Sequence, residues 1–292
     1  MTAFDPEEVK RRLNELITDD PSKIALRITS AKKDHARLCF AQWEAFIKYF
    51  EDAFEVVVLA THELNKVKKD DWGWPKIAQF ICYPIVQKTL TRAFNDVTDG
   101  FPDESLMLSR SVYENILRMG FMSCYPNDWE AAWGDIAGKP KFNATNFPRD
   151  NLKLEWGIFY RITSYAAHGN KHEVLGMVRK VVEQKAGWIN LKIPYDEERT
   201  SSAINYLIFL LWVLIRLFPT FFPEYKTDDA FSTELRDRLQ KADDAFEVLV
   251  AGSPNRFGQT IPEVQKFVQI VKAANDGEDW KDLAKRLSEA KS

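Results

Sequence analysis

Glycine and proline are scarce in this chain, at 12 and 13 of 292 residues. Together they fall below the usual share. Few breakers mean long uninterrupted elements, which favours helices over a turn-rich all-β fold. Cysteine is scarcer still: Cys39, Cys82 and Cys124 are odd in number, far apart, and each set in an apolar helical context. No paired spacing exists for a zinc site or a disulfide framework. The three read as buried free thiols of a reducing compartment. Positive charge is not in surplus either, with 40 Lys and Arg against 43 Asp and Glu and a net charge of −3. That excludes an overall basic, charge-driven nucleic-acid binder, although a local basic groove stays open.

A long apolar run is also lacking. Ile204 to Phe218, within SSAINYLIFLLWVLIRLFPTFF, spans fifteen residues, short of the roughly twenty that cross a bilayer. It contains Asn205 and Arg216 and ends at Pro219, so it reads as a buried core helix. The N-terminal Met-Thr-Ala-Phe-Asp-Pro-Glu-Glu is acidic and has no apolar run, unlike a signal peptide. The expectation is a cytoplasmic protein with no membrane contact.

What is present is core material: 45% hydrophobic and 13% aromatic residues, well above a disordered composition. Asp5-Pro6-Glu7-Glu8 is a helix start, with a capping Asp, Pro in the first turn and acids beside it. Trp43, Phe46, Ile47, Phe50, Phe54, Val57, Val58 and Leu64 recur at helical steps and predict one long helix over 33–69. Trp74-Pro75 opens another, with Pro84 inside its stripe as an expected kink. The stretch from Glu104 to about Tyr125 is apolar on all sides, the mark of a central core helix. A short helix is predicted over 128–136 and one over 152–168 stopped by Gly169-Asn170; the stretch 176–194 is ambiguous, with the alternation over 188–193 compatible with a short extended piece. The core helix from Ser201 and two amphipathic helices, over 228–250 and 261–290, complete the chain. The fold class is all-α: a bundle of about eight to ten helices. The one plausible boundary divides a bundle domain, 1–252, from a C-terminal helical extension, 253–292. The tryptophans Trp72, Trp74, Trp129, Trp133 and Trp156 read as core, and His35 and His62 as packing or surface residues.

Two stretches do not fit a plain core. In Leu108-Ser-Arg-Ser-Val-Tyr-Glu-Asn-Ile-Leu, Arg110 and Glu114 sit on the otherwise apolar helix, with Arg118 one further turn on. Buried charges need a counter-ion or a wet cleft. Arg110 and Glu114 are one turn apart and can pair. The pattern fits either an internal ion pair that fixes packing or a polar cleft in the bundle. The second stretch is Tyr160-Arg161-Ile162-Thr163-Ser164-Tyr165-Ala166-Ala167-His168-Gly169. On a helix, Arg161 and His168 fall within roughly 20° of one face and about 10 Å apart along the axis, with Ser164 and Tyr165 flanking. His168 beside a helix-ending glycine is either a capping or packing residue or a ring facing a cleft.

The paired signature, Arg-Ser-x-x-Glu on one buried helix and Tyr-x-x-x-Ser-x-x-x-His on a later one, resembles a family of bacterial and archaeal all-helical proteins similar to the HEPN superfamily. The resemblance covers roughly residues 105–169. It implies a helical, homodimeric protein of a toxin–antitoxin or phage-defence system, and a metal-independent ribonuclease whose Arg and His are spaced as Arg161 and His168 are. It further implies RNA and a partner or antitoxin protein as partners, and no cofactor. In that scheme His168 takes the proton of the RNA 2′-hydroxyl or protonates the leaving 5′-oxygen. Arg161 holds the scissile phosphate, and Ser164 donates a hydrogen bond. Glu114 orients His168 and is fixed by Arg110, with Tyr165 beside the substrate. The net negative charge then calls for a specific or partner-presented RNA. Two other readings compete: a non-catalytic helical interaction or sensing module, and a metal site on His168, His172 and Glu173, which Gly169-Asn170 would hold out of register.

Overall fold

The structure is a computed structural model, and it describes residues 4–15, 23–154, 195–226, 231–251 and 261–289. Among the described residues there are nine α-helices and no strand. They are α1 (Pro6–Glu15), α2 (Ile24–Gln42), α3 (Glu44–Lys66), α4 (Trp74–Thr98), α5 (Pro102–Cys124), α6 (Glu197–Phe221), α7 (Thr233–Ala251), α8 (Ile261–Asn275) and α9 (Trp280–Glu289). The protein is an all-α multi-helix bundle, as the composition and periodicity indicated.

Local chemistry starts and stops these elements. Asp5 Oδ1 accepts the amides of Glu7 and Glu8 at 3.1 and 3.4 Å, capping α1. Asp196 does the same for α6, accepting the Arg199 amide at 2.9 Å. Only three residues, Asp99 to Phe101, join α4 to α5, so the two run back antiparallel. Gly100 turns that corner at φ +94°, and a Cβ there would sit 2.6 Å from the buried ring of His35. Any side chain is thus excluded twice, by backbone conformation and by space.

The central elements are α5 and α6. From Ser105 to Cys124 most α5 side chains are buried; Leu108, Arg110, Glu114 and Arg118 are half-buried, and Met107 and Ser111 are exposed. Helix α6 is long and apolar enough to cross a membrane by length and composition, but 83% of its apolar window is buried inside the bundle. Trp212, Phe218 and Phe221 are fully enclosed. Each such side chain contributes roughly 1.5–3 kcal/mol of transfer free energy, an upper estimate. Helix α4 lies along α5, joined by buried Gln79, whose Nε2 donates to the Met119 carbonyl and to Ser123 Oγ, both at 2.8 Å. Helices α8 and α9 pack into the same core: Phe267 abuts Gly120, and the Trp280 indole donates to the Cys124 carbonyl at 3.1 Å.

Several expectations are corrected. The predicted helix over 33–69 is two helices, α2 and α3, broken where Trp43 leaves helical geometry at φ −122°, ψ 26°. Its indole packs edge-on against Phe46 instead. The helix predicted over 261–290 is also two, because Gly277 adopts φ +77° and its amide and that of Glu278 close the end of α8 on the Ala274 and Ala273 carbonyls. The short helix at 128–136 is a 3₁₀ segment, Pro126–Ala132. Pro84, where a kink was expected, lies within α4 on its exposed side. Trp74 and Trp133, read as core, are 69% and 52% exposed. Trp72 and Trp129 are half-buried, and His35 is buried while His62 is exposed. The predicted helix over 152–168, the extended piece over 188–193 and Trp156 lie outside the described residues, apart from 152–154.

Candidate functional site

The half-buried charges of α5 form a row along one side of that helix. Arg110 Nε donates to Glu114 Oε1 at 3.0 Å, and Arg118 Nη2 lies 3.6 Å from Glu114 Oε2. The spacing of four residues brings each pair together on successive turns. The pairing read from the sequence is therefore present, with Arg118 added as a third member. The side chains are not sealed: Arg110, Glu114 and Arg118 are 25%, 22% and 23% exposed. One carboxylate between two guanidiniums leaves the row with a net positive charge.

Arg118 is held by several further groups. Its Nε donates to the Ala132 carbonyl at 3.2 Å and its Nη1 to Asn115 Oδ1 at 3.4 Å. The guanidinium also lies 5.3 Å from the ring centroids of both Trp133 and Phe142, a stacked arrangement that suits Arg better than Lys. The 126–142 segment thus wraps over the row and supplies an acceptor and two rings. Across the hairpin, burial raises the Cys82 thiol to about 11 while the nearby Arg118 charge pulls against it.

Arg161, Ser164, Tyr165 and His168 lie outside the described residues, as do His172 and Glu173. Of the residues assigned to a site from the sequence, Arg110 and Glu114 are brought together. Among the described residues no group of three or more His, Cys, Asp or Glu side chains can hold a metal ion.

Two further features were not read as sites. Asp243 of α7, nearly buried, accepts the Trp212 indole N–H at 2.8 Å and pairs with Arg216 of α6. Arg216 inside an apolar run was the signal for it: a charge in that setting demands a counter-ion. Tyr49 packs beside this pair and donates to the Ala242 carbonyl at 3.3 Å, its hydroxyl pKa raised by burial and by the Asp243 charge. A shallow cleft between α3 and α4 is floored by Phe50, Phe54 and Phe94 and edged by Glu51, Asp52 and Glu55. Phe50 and Phe94 stack face to face at 4.2 Å. Neither feature brings together an acid, a base and a nucleophile.

Compared with known proteins, the chain matches no family model, no curated protein and no solved structure.

Proposed function

We propose that this protein is a metal-independent, HEPN-like endoribonuclease of a bacterial toxin or phage-defence system, with Arg161, Ser164 and His168 at the reacting phosphate and the α5 row as their support. The observation that carries the reading is the Arg110–Glu114 pair at 3.0 Å, about three-quarters enclosed on a central helix. An ion pair of this kind gives little net stability, yet it fixes a carboxylate rigidly at the edge of the core. A fixed carboxylate is what orients an imidazole and selects its tautomer. The reaction supplies its own nucleophile. The 2′-oxygen bonds to phosphorus as its proton passes to a base, the P–O5′ bond breaks, and the leaving 5′-oxygen takes a proton. The products are a 2′,3′-cyclic phosphate and a 5′-hydroxyl. His168 serves as base or acid, and Arg161 stabilises the charge that grows on the phosphoryl oxygens.

The test is incubation of the purified full chain with single-stranded RNA in the presence of EDTA, with product ends mapped. Cleavage leaving cyclic phosphate termini, lost in His168→Ala at unchanged thermal stability, is the expected result. Folded wild-type protein that leaves RNA intact, alone and with its co-expressed neighbour proteins, overturns it.

A second reading has its own support. Arg118 is bonded to the Ala132 carbonyl and to Asn115, and Glu114 is shared between two cations. A row so committed to its own fold suits a non-catalytic helical interaction or sensing module of the same kind of system. Under that reading Arg110→Ala and Glu114→Gln alter stability alone and leave partner binding unchanged.

A further inference from the structure

Helices α1 and α2 do not share the main core. Val9, Leu13, Ala31 and Leu38 close on one another and on Tyr195 in a small separate cluster, whereas the main core holds no residue of either helix. A unit of this size, below about 40 residues, rarely stays folded alone, so α1 and α2 depend on what fastens them to the bundle. The first turns of α2 stand clear of it, with Leu26 72% and Ile28 39% exposed. Further along, α2 is seated on the corner between α4 and α5. The buried ring of His35 lies against Gly100, and the Cys39 thiol faces the Val97 carbonyl at 3.8 Å.

The fastenings are polar and partly exposed. Lys32 Nζ donates to Asp99 Oδ2 at 2.8 Å and lies 5.2 Å from the Phe101 ring centroid. The Tyr195 hydroxyl donates to Gln42 Oε1 at 2.5 Å, and Lys10 Nζ approaches Glu197 Oε2 at 3.5 Å. The Lys32 and Asp99 side chains are each 39% exposed, and single ion pairs of that kind contribute little. Between α2 and α3 the backbone leaves helical geometry at Trp43, and such element ends are where a chain absorbs a change of direction. A separate core, a hinge and weak catches are the parts of a segment that opens without unfolding the rest.

We propose that α1 and α2 form a strap that comes off the bundle as one cooperative unit, hinged at Trp43 and held shut by the Lys32–Asp99 and Tyr195–Gln42 catches, while α3 to α9 stay folded. Opening uncovers the corner at Val97, Gly100 and Phe101 and releases Tyr195, which stands just ahead of α6. The strap is independent of RNA cleavage and stands or falls on selective opening alone.

The three buried thiols report on it in the full chain, since Cys39 lies under the strap while Cys82 and Cys124 belong to the main core. The protein is incubated with a thiol reagent at urea concentrations below the global transition, and mass spectrometry locates the modified cysteine. Each rate is divided by that of the same thiol in the denatured chain. Without urea all three thiols stay closed over minutes. In sub-transition urea Cys39 reacts about tenfold faster than Cys82 and Cys124 or more, with a shallower dependence on urea, because a partial opening exposes less surface. Lys32→Ala and Tyr195→Phe each speed Cys39 about two- to fivefold, the scale of one exposed pair or hydrogen bond. Ile270→Val, in the main core on α8, speeds Cys82 and Cys124 about fivefold and leaves Cys39 unchanged, because that core is intact in the open state. Three thiols that react together with one urea dependence, an Ile270→Val that speeds Cys39 as much as Cys82, or catch variants that leave Cys39 unmoved overturn the proposal.

Discussion

The indole N–H of Trp212 ends on Asp243, 2.8 Å away, so a ring stacked at 4.4 Å on Phe246 is also anchored at its edge. This bond joins α6 to α7, as does the pairing of the same carboxylate with Arg216. Removing the carboxylate leaves an indole donor and a guanidinium without it. Asp243→Ala is expected to destabilise the fold by about 1–3 kcal/mol, measured as the loss in urea-unfolding free energy. Asp243→Asn keeps an acceptor for Trp212 and is expected to lose less. Equal losses for the two variants would show that the charge contributes nothing.

Gly120 presses on Phe267, whose Cζ lies 2.4 Å from where a Cβ would be. Alanine gains about 1 kcal/mol of helix propensity at this position, and overpacking costs about 1–3 kcal/mol. Phe267 is fully enclosed, so the second effect wins and Gly120→Ala lowers the melting temperature. Adding Phe267→Leu relieves the clash. The double variant is expected to be more stable than the sum of the single losses, and strict additivity would refute the contact.

Glu63 gives a pH dependence. Burial works to raise its pKa, but the Lys66 ammonium at 2.8 Å and the Ser232 amide at 3.0 Å outweigh it, and the net shift is downward. A carboxyl whose folded value lies below its unfolded value, about 4.3, stabilises the fold above that unfolded value. It loses this contribution as pH falls through the folded one. Wild type is therefore expected to melt above Glu63→Gln at pH 7, with the gap closing as the pH drops below about 4. A gap that stays constant on acidification contradicts the assignment.

The thiols are expected to be silent. Burial raises Cys39 to about 12 and Cys82 to about 11, and Cys124 is raised as well. Thiolate is the reacting species, so a thiol reagent at pH 8 is expected to leave the native protein unmodified and to titrate all three groups once denaturant is added. A fast-reacting native thiol would contradict the burial.

Most of the architecture was legible because long apolar periodicities dominate it. The all-round apolar pattern of α5 marked a central helix, and its charges at four-residue spacing marked the Arg110–Glu114 pair. The break at Trp43 was not legible: no glycine or proline marks it, the stripe continues through it, and a packing choice of the indole decides it. The α8–α9 break does carry a signal in Gly277, overridden by an apolar pattern that resumes at Trp280. Trp74 and Trp133 were read as core from their type alone, and only the tertiary arrangement exposes them. In the row, Arg118 owes its Ala132, Trp133 and Phe142 contacts to a segment with no periodicity, so no spacing rule could have placed it. The site residues at 161–168 lie outside the described residues.

The enclosure of α6 has a consequence for biosynthesis. Part of its cover comes from α3 to α5, which precede it, and part from α7 and α8, which follow it. A nascent chain that has just released Phe221 therefore carries a greasy, span-length segment with one flank still bare. Translation must proceed about another fifty residues, to the end of α8, before that flank is shielded. Over that interval the segment is a ready client for holdase chaperones and signal-recognition machinery, and premature termination there leaves a sticky product rather than a smaller folded one.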